Sequence, residues 1–159
     1  MNKPIQYKQP VSVLVVIYTD ALEVLLLERA DHPGMWQSVT GSQDGGESVR
    51  DTAMREVREE TGLEATQYGF TDWQIQNVYE IYDKWRHRYP PGTLYNTEHV
   101  FGLKLPHTVA ITLSPREHLS YKWIPLQEAA MRVFSPSNQA AILQLPERMC
   151  ANKNAAIKE

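Results

Sequence analysis

The sequence predicts an α+β fold, a mixed sheet with one helix packed against it. Three observations lead there: a β-branched apolar run at residues 11–18, one amphipathic helical segment at 48–61, and later strand-like segments that do not alternate regularly with helices. VSVLVVIY, from Val11 to Tyr18, reads as a buried strand. The chain turns over Thr19 to Glu23, and Val24 to Glu28 (VLLLE) returns beside the first strand. ADHPGMWQSVTGSQDGGES follows, loaded with Gly, Asp and Ser, and reads as loop with a short strand at Trp36 to Val39. From Ser48 to Thr61 the period changes to that of a helix. Val49, Ala53 and Val57 fall four apart on one apolar face, Ser48 or Glu47 can open the helix, and Gly62 stands where a left-handed cap is wanted. Segments 68–82, 98–105, 109–113 and 121–124 read as strands, interrupted by a polar loop at 85–98. Helices near Gln127–Phe134 and Asn138–Met149 complete the fold ahead of a polar tail.

Composition bounds the function. The 159 residues are 42% hydrophobic and 22% charged, which fits one soluble globular domain. A net charge of -3 gives no global reason to bind nucleic acid or anionic lipid. The longest apolar run, Val11 to Tyr18, falls far short of the ~20 residues that cross a bilayer. Cys150 is the only cysteine, so no internal disulfide can form; with no cleavage site of small residues near Met1, the expected location is cytoplasmic. His87, His99, His107 and His118 have no spacing suited to a zinc site, and Cys150 has no basic neighbour to make it a nucleophile.

The chemistry concentrates at residues 41–63, GSQDGGESVRDTAMREVREETGL. Glu56 and Glu60 are one helical turn apart, about 6 Å along the axis, and Glu59 borders the same face. Like charges this close destabilise a helix unless something offsets them. Arg55 and Arg58 offset part; a hard divalent cation, which prefers oxygen ligands, would offset far more. Taken alone, REVREE is an ordinary charged helix face. The glycine-rich approach and the spacing of the whole segment are what reverse that reading.

Gly41, Glu47, Arg55, Glu56, Glu59, Glu60 and Gly62, with aliphatic Val57 and Leu63, match the Nudix box G-x5-E-x7-R-E-U-x-E-E-x-G-U at every specified position. At roughly 7% per residue type, a chance match is on the order of one in ten million, so the segment resembles the Nudix hydrolases by descent. That resemblance implies a Nudix fold, a mixed β-sheet between helices with the box as a catalytic loop-helix-loop, as a single domain over residues 1–150 and a polar tail at 151–159. It implies that Glu56, Glu59 and Glu60 hold metal or activate water, that the Gly41 carbonyl completes the metal site, and that Arg55 orients a box glutamate with Glu47 as its partner. The implied cofactor is Mg²⁺, with Mn²⁺ as the alternative ion; the implied reaction is attack of water on a diphosphate.

Outside the box, YKQPVSVLVVIY, LLLER, WQSVTGS, RHRYPPG, NTE and EHLSYKW resemble one subfamily, the bacterial dihydroneopterin triphosphate diphosphatases of folate biosynthesis. The resemblance implies hydrolysis of 7,8-dihydroneopterin triphosphate to the monophosphate and pyrophosphate. It makes Glu117, far from the box, a further metal ligand. Lys8 and Arg29, each beside a strand, are the residues expected on the triphosphate, Arg29 as a fork and Lys8 as a point charge. Thr40 can present its hydroxyl or backbone to the ligand. In YEIY, Tyr79 or Tyr82 can stack on the pterin, Glu80 can accept its N–H donors, and Ile81 lies between them. Ser135 and Asn138 match less specific positions, Arg86, His87 and Arg88 can steer an anion, and Trp36 and Trp123 are read as core. The nearest alternative is a nucleoside triphosphate diphosphatase of the pool-cleaning type; a silent nucleotide-binding module is disfavoured because all the box acids stand. The sequence leaves open the number of metal ions, which of Glu56, Glu59 or Glu117 acts as base, the phosphorus attacked and the oligomeric state.

Overall fold

The computed structural model describes residues 4–157, with side-chain surroundings as far as Ala151. Its centre is β1 (Val11–Thr19), buried on both faces, which is why its sequence is apolar without alternation. On one flank β6 (Tyr95–Leu105) runs parallel to β1 from Val11↔Thr97 to Thr19↔Leu105. On the other flank β4 (Val39–Ser42) pairs antiparallel with the first half of β1, Ser12↔Ser42 to Val15↔Val39. Further along that flank β2 (Glu23–Arg29) joins β1 at Tyr18↔Val24, then carries β3 (Trp36–Gln37) and β7 (His118–Pro125). At the far edge β5 (Gly69–Glu80) pairs antiparallel with β6 through a bulge between Asp72 and Ile75. Gln74 takes a positive φ of 57° in that bulge, and its N–H donates to Asp72 Oδ1.

The two faces of β1 serve two cores. Val13, Val15 and Ile17 pack with Phe101, Leu103, Leu105, and Ala53 and Val57 of α1 (Val49–Thr61). Leu14, Val16 and Tyr18 pack against Ala129 of α2 (Leu126–Arg132), Ile142 of α3 (Pro136–Leu143) and Leu145 of α4 (Leu145–Ile157). The mixed sheet is thus held between helices, as expected, and no helix among the described residues is long and apolar enough to cross a membrane.

The structure corrects the reading in four places. Residues 109–113 are not a strand: the segment hooks onto α1 and β7 through single bonds, with Thr112 N–H donating to Thr61 O and the Trp123 indole donating to Val109 O. The stretch 85–98 is not all loop: residues 85–88 belong to a short 3-10 helix, Asp83–Arg88, and β6 begins at Tyr95. The last predicted helix is two, because Pro146 has no N–H to continue the ladder through the turn at Gln144. Finally, α4 carries on to Ile157, through most of the stretch read as tail.

Candidate active site

Helix α1 is fixed at both ends. Ser48 Oγ accepts the Asp51 N–H at 3.1 Å, and Gly62, at φ 77°, donates its N–H to Arg58 O. With Ala53 and Val57 in the core, the turn that carries Glu56 and Glu60 is pressed against β4. Glu60 is 3% exposed, and the Thr40 N–H donates to its Oε2 at 3.3 Å. The Glu56 carboxyl lies so close to Gly41 that a Cβ there would occupy the same space, which is why residue 41 has no side chain. Burial pushes the Glu56 carboxyl up to about 7, against the pull of Arg55 and with a further push from Glu59 and Glu117. Burial raises Glu60 well above the ordinary range, reinforced by Glu56 and Glu117.

Arg55 braces this cluster from the side. Its guanidinium donates to Glu47 at 2.7 Å, Glu56 at 2.9 Å, Glu59 at 3.1 Å and the Ser42 carbonyl at 3.1 Å. The Arg55 hydrogen bond holds Glu47 down at about 2, so Glu47 is a carboxylate that anchors the arginine, as its spacing suggests. Glu59 faces outward with a half-exposed side chain and lies outside the cleft wall.

Glu117 reaches the cluster from the loop before β7, its carbonyl accepting the Ala30 N–H. One ligand atom each from Glu60, Glu117 and His118 fall within 4.8 Å of one another. His118 thus joins the acids, although its sequence spacing predicts no metal role. It is 2% exposed, and burial, with Arg29, lowers its pKa to about 4. Arg29 Nη1 donates to Gln37 Oε1, which turns the Gln37 amide nitrogen toward His118 Nε2 at 3.2 Å. The imidazole is therefore neutral, with Nε2 accepting. Two buried carboxylates and an exposed third, with no lysine or arginine paired to Glu60 among the described residues, form a hard oxygen donor set that fits a divalent cation.

From these acids a cleft of about 1060 Å³ crosses the sheet to β5, β6 and the start of α3. Lys8 stands on its wall; the residue is exposed, yet desolvation of its ammonium and the nearby Arg88 and Arg29 hold its pKa below the ordinary lysine value. Arg29 forks onto Asp31 with two 2.7 Å bonds, reaches Gln37 and lies 4.8 Å over the Trp85 ring. Three of its five N–H groups are thus committed within the protein. Thr40 gives its hydroxyl to Val13 O and its N–H to Glu60, so it supports the acid.

The remaining expected contacts all line the cleft's far part. The Tyr79 phenol accepts from Asn96 Nδ2 at 3.0 Å and is pushed up to about 12 by burial. Glu80 is mostly exposed and paired with Arg86. Ile81 is buried, its N–H donating to Leu94 O. Tyr82 is exposed, edge-on to Trp85 at 5.3 Å. Ser135 caps α3. Asn138 is buried and locks α3 to the sheet, accepting the Ser38 N–H and donating to Ser38 Oγ, both at 2.9 Å. Sequence reasoning missed Trp85, Gln37 and Glu98. A signal for Glu98 existed: Asn96, Glu98 and Val100 alternate as the inward positions of one strand, and a carboxylate on a buried face is unusual.

Residues 8–145 match the NUDIX domain, and the chain belongs to the Nudix family. It is an enzyme acting on phosphoanhydrides. It is similar to a dihydroneopterin triphosphate diphosphatase of Escherichia coli (strain K12), with 48% identity over 141 residues, 87% of this chain and 93% of that protein. A protein of the same name from Haemophilus influenzae is 37% identical over 140 residues, 86% of this chain and 87% of its own length. Among solved structures, that of the E. coli dihydroneopterin triphosphate pyrophosphohydrolase superposes with a TM-score of 0.82 at 48% identity, covering 87% of this chain and 95% of that one.

Proposed function

We propose that this protein hydrolyses 7,8-dihydroneopterin triphosphate to dihydroneopterin monophosphate and pyrophosphate, a step of folate biosynthesis, with Mg²⁺ as cofactor. The observation that carries the reading is the 48% identity to the E. coli enzyme over 141 residues, 87% of the chain and far more than the box alone. The lone, exposed Cys150 is in keeping with a cytoplasmic enzyme.

Glu56, Glu60 and Glu117 are the residues that would hold the ion, with Gly41 beside them and His118 neutral at the edge. When bound, the cation offsets charge on the diphosphate oxygens and makes a coordinated water more acidic. The protein's own residues do the rest. Thr40 holds Glu60 in place, and Arg55 fixes the orientation of Glu56 against Glu47. Lys8, Arg29 and Arg88 gather around the cleft and meet the phosphate chain, so an acidic protein neutralises its ligand locally. Water supplies the oxygen of the new bond to phosphorus and gives up a proton; the bridging P–O bond breaks, and its electron pair stays on the bridging oxygen, which leaves with the other phosphate fragment.

The test is product analysis. With Mg²⁺ the protein should release one pyrophosphate per monophosphate formed, and a chelator should stop both. Release of single phosphate, or turnover that survives the chelator, would overturn the proposal.

A further inference from the structure

The far end of the cleft holds a carboxylate with no counter-charge. Glu98, on β6, is 4% exposed and part of the cleft wall. No lysine or arginine pairs with it among the described residues. It sits at one level of the sheet between Ser12 of β1 and Asn77 of β5, its register partners on either side. Its protein contacts are weak or neutral: the Asn77 amide donates at 3.4 Å, and the Ser137 hydroxyl lies against it from α3. Nearby, Asn96 donates to Ser12 Oγ at 2.7 Å and to Tyr79 Oη at 3.0 Å, and the Ser12 and Tyr79 hydroxyls also bond each other, so these groups are held together without Glu98. A buried carboxylate without a cation is costly unless N–H donors reach it. The protein supplies only the Asn77 amide and the Ser137 hydroxyl among the described residues, which leaves acceptor capacity for a ligand that carries N–H donors.

The strand order sets what that ligand looks like. Gly41 and Thr40, against which Glu56 and Glu60 lie, belong to β4 on one flank of β1, and Glu98 belongs to β6 on the other. Two strand spacings separate them, roughly 10 Å. A ring anchored at Glu98 with a three-carbon side chain or a ribose can lay its phosphates across β1 onto the acids. The two oxygens of a carboxylate match two parallel N–H groups on one ring edge. The 2-amino-4-oxopyrimidine edge of a pterin or a guanine has such a pair, a ring N–H beside an amino group. Adenine offers no ring N–H there, and hypoxanthine lacks the amino group. Glu80 cannot do this work, since it is exposed and tied to Arg86.

We propose that Glu98 is the specificity-determining residue of the cleft, its carboxylate accepting the ring N–H and the 2-amino group of a 2-amino-4-oxopyrimidine. The proposal rests on the reading of this cleft as a triphosphate site, but not on which ring is the natural one. Its test is therefore the pair GTP and ITP, which differ only in the 2-amino group, each assayed for Mg²⁺-dependent pyrophosphate release. The unmodified enzyme should favour GTP in kcat/KM by at least about tenfold, the worth of one hydrogen bond to a charged acceptor. Glu98→Gln, which keeps the shape but replaces one acceptor with a donor, should bring the ratio close to one, and Glu98→Asp should retain part of it. An unmodified enzyme that does not distinguish GTP from ITP would overturn the proposal without any variant. So would a Glu98→Gln enzyme with the full preference. A poor rate on dihydroneopterin triphosphate beside an intact GTP preference would sink the substrate assignment and leave Glu98 standing.

Discussion

The two ends of the cleft use the same chemical group to opposite purpose. At one end Glu56, Glu60 and Glu117 crowd together: Glu117 raises the cost of ionising Glu56 and Glu60, and Glu56 adds to that of Glu60. At the other, Glu98 is buried by itself, its carboxyl raised by desolvation and unaffected by a partner of like charge. Crowding calls for a cation that all the acids share. Isolation calls for a pair of N–H donors that one acid can hold. The contrast teaches that the surroundings of a carboxylate, more than its presence, decide whether it takes metal or reads a ring.

The strongest way to break this comparison lies at the crowded end. Glu60→Gln removes a ligand charge without changing shape, so turnover should fall by about 10³-fold or more while the fold persists. Pyrophosphate release against Mg²⁺ concentration, with circular dichroism alongside, checks both halves; near wild-type activity would mean that Glu60 holds no metal. Glu117→Gln should lower kcat by about 10²-fold, less than Glu60 because Glu117 is the exposed member of the group. A loss of only a few-fold would demote it to a loop residue. Arg55→Lys keeps the charge but cannot bridge Glu47, Glu56, Glu59 and the Ser42 carbonyl together; kcat should fall about tenfold with KM little changed. The smallest effect on chemistry belongs to the far end. Asn138→Ala leaves the buried Ser38 N–H without its acceptor and should cost about 2 kcal/mol of stability, a drop of roughly 5 °C in Tm, with the box chemistry intact.

How much of this was legible follows from how each end is built. The metal end lies mainly on one helix, so a fixed spacing from Gly41 to Gly62 displays it, and the apolar positions Ala53 and Val57 say which face is left for the acids. Its cap at Gly62 and its anchor at Glu47 could be read the same way. His118 escaped because only the pairing of β2 with β7 and the Arg29–Gln37 link bring it to Glu60. The ring end is assembled from β1, β5, β6 and α3, and no local pattern shows that Ser12, Asn77 and Glu98 share a level. The β-branched alternation of VAITL at 109–113 misled for a related reason. A strand also needs a backbone partner along its length, and this segment instead gives its Thr112 N–H to Thr61 O at the end of α1 and its Val109 carbonyl to the Trp123 indole.

The central claim is that the protein reads a pterin at one end of the cleft and cleaves its phosphate chain at the other. The most direct measurement is a competition: equal concentrations of 7,8-dihydroneopterin triphosphate, GTP and 8-oxo-dGTP with Mg²⁺ and one preparation of enzyme, followed by the disappearance of each. Relative rates then report relative kcat/KM. The pterin should disappear first, ahead of either nucleotide by about tenfold or more. Equal or faster loss of a nucleotide would contradict the account and move the enzyme to cleansing the nucleotide pool.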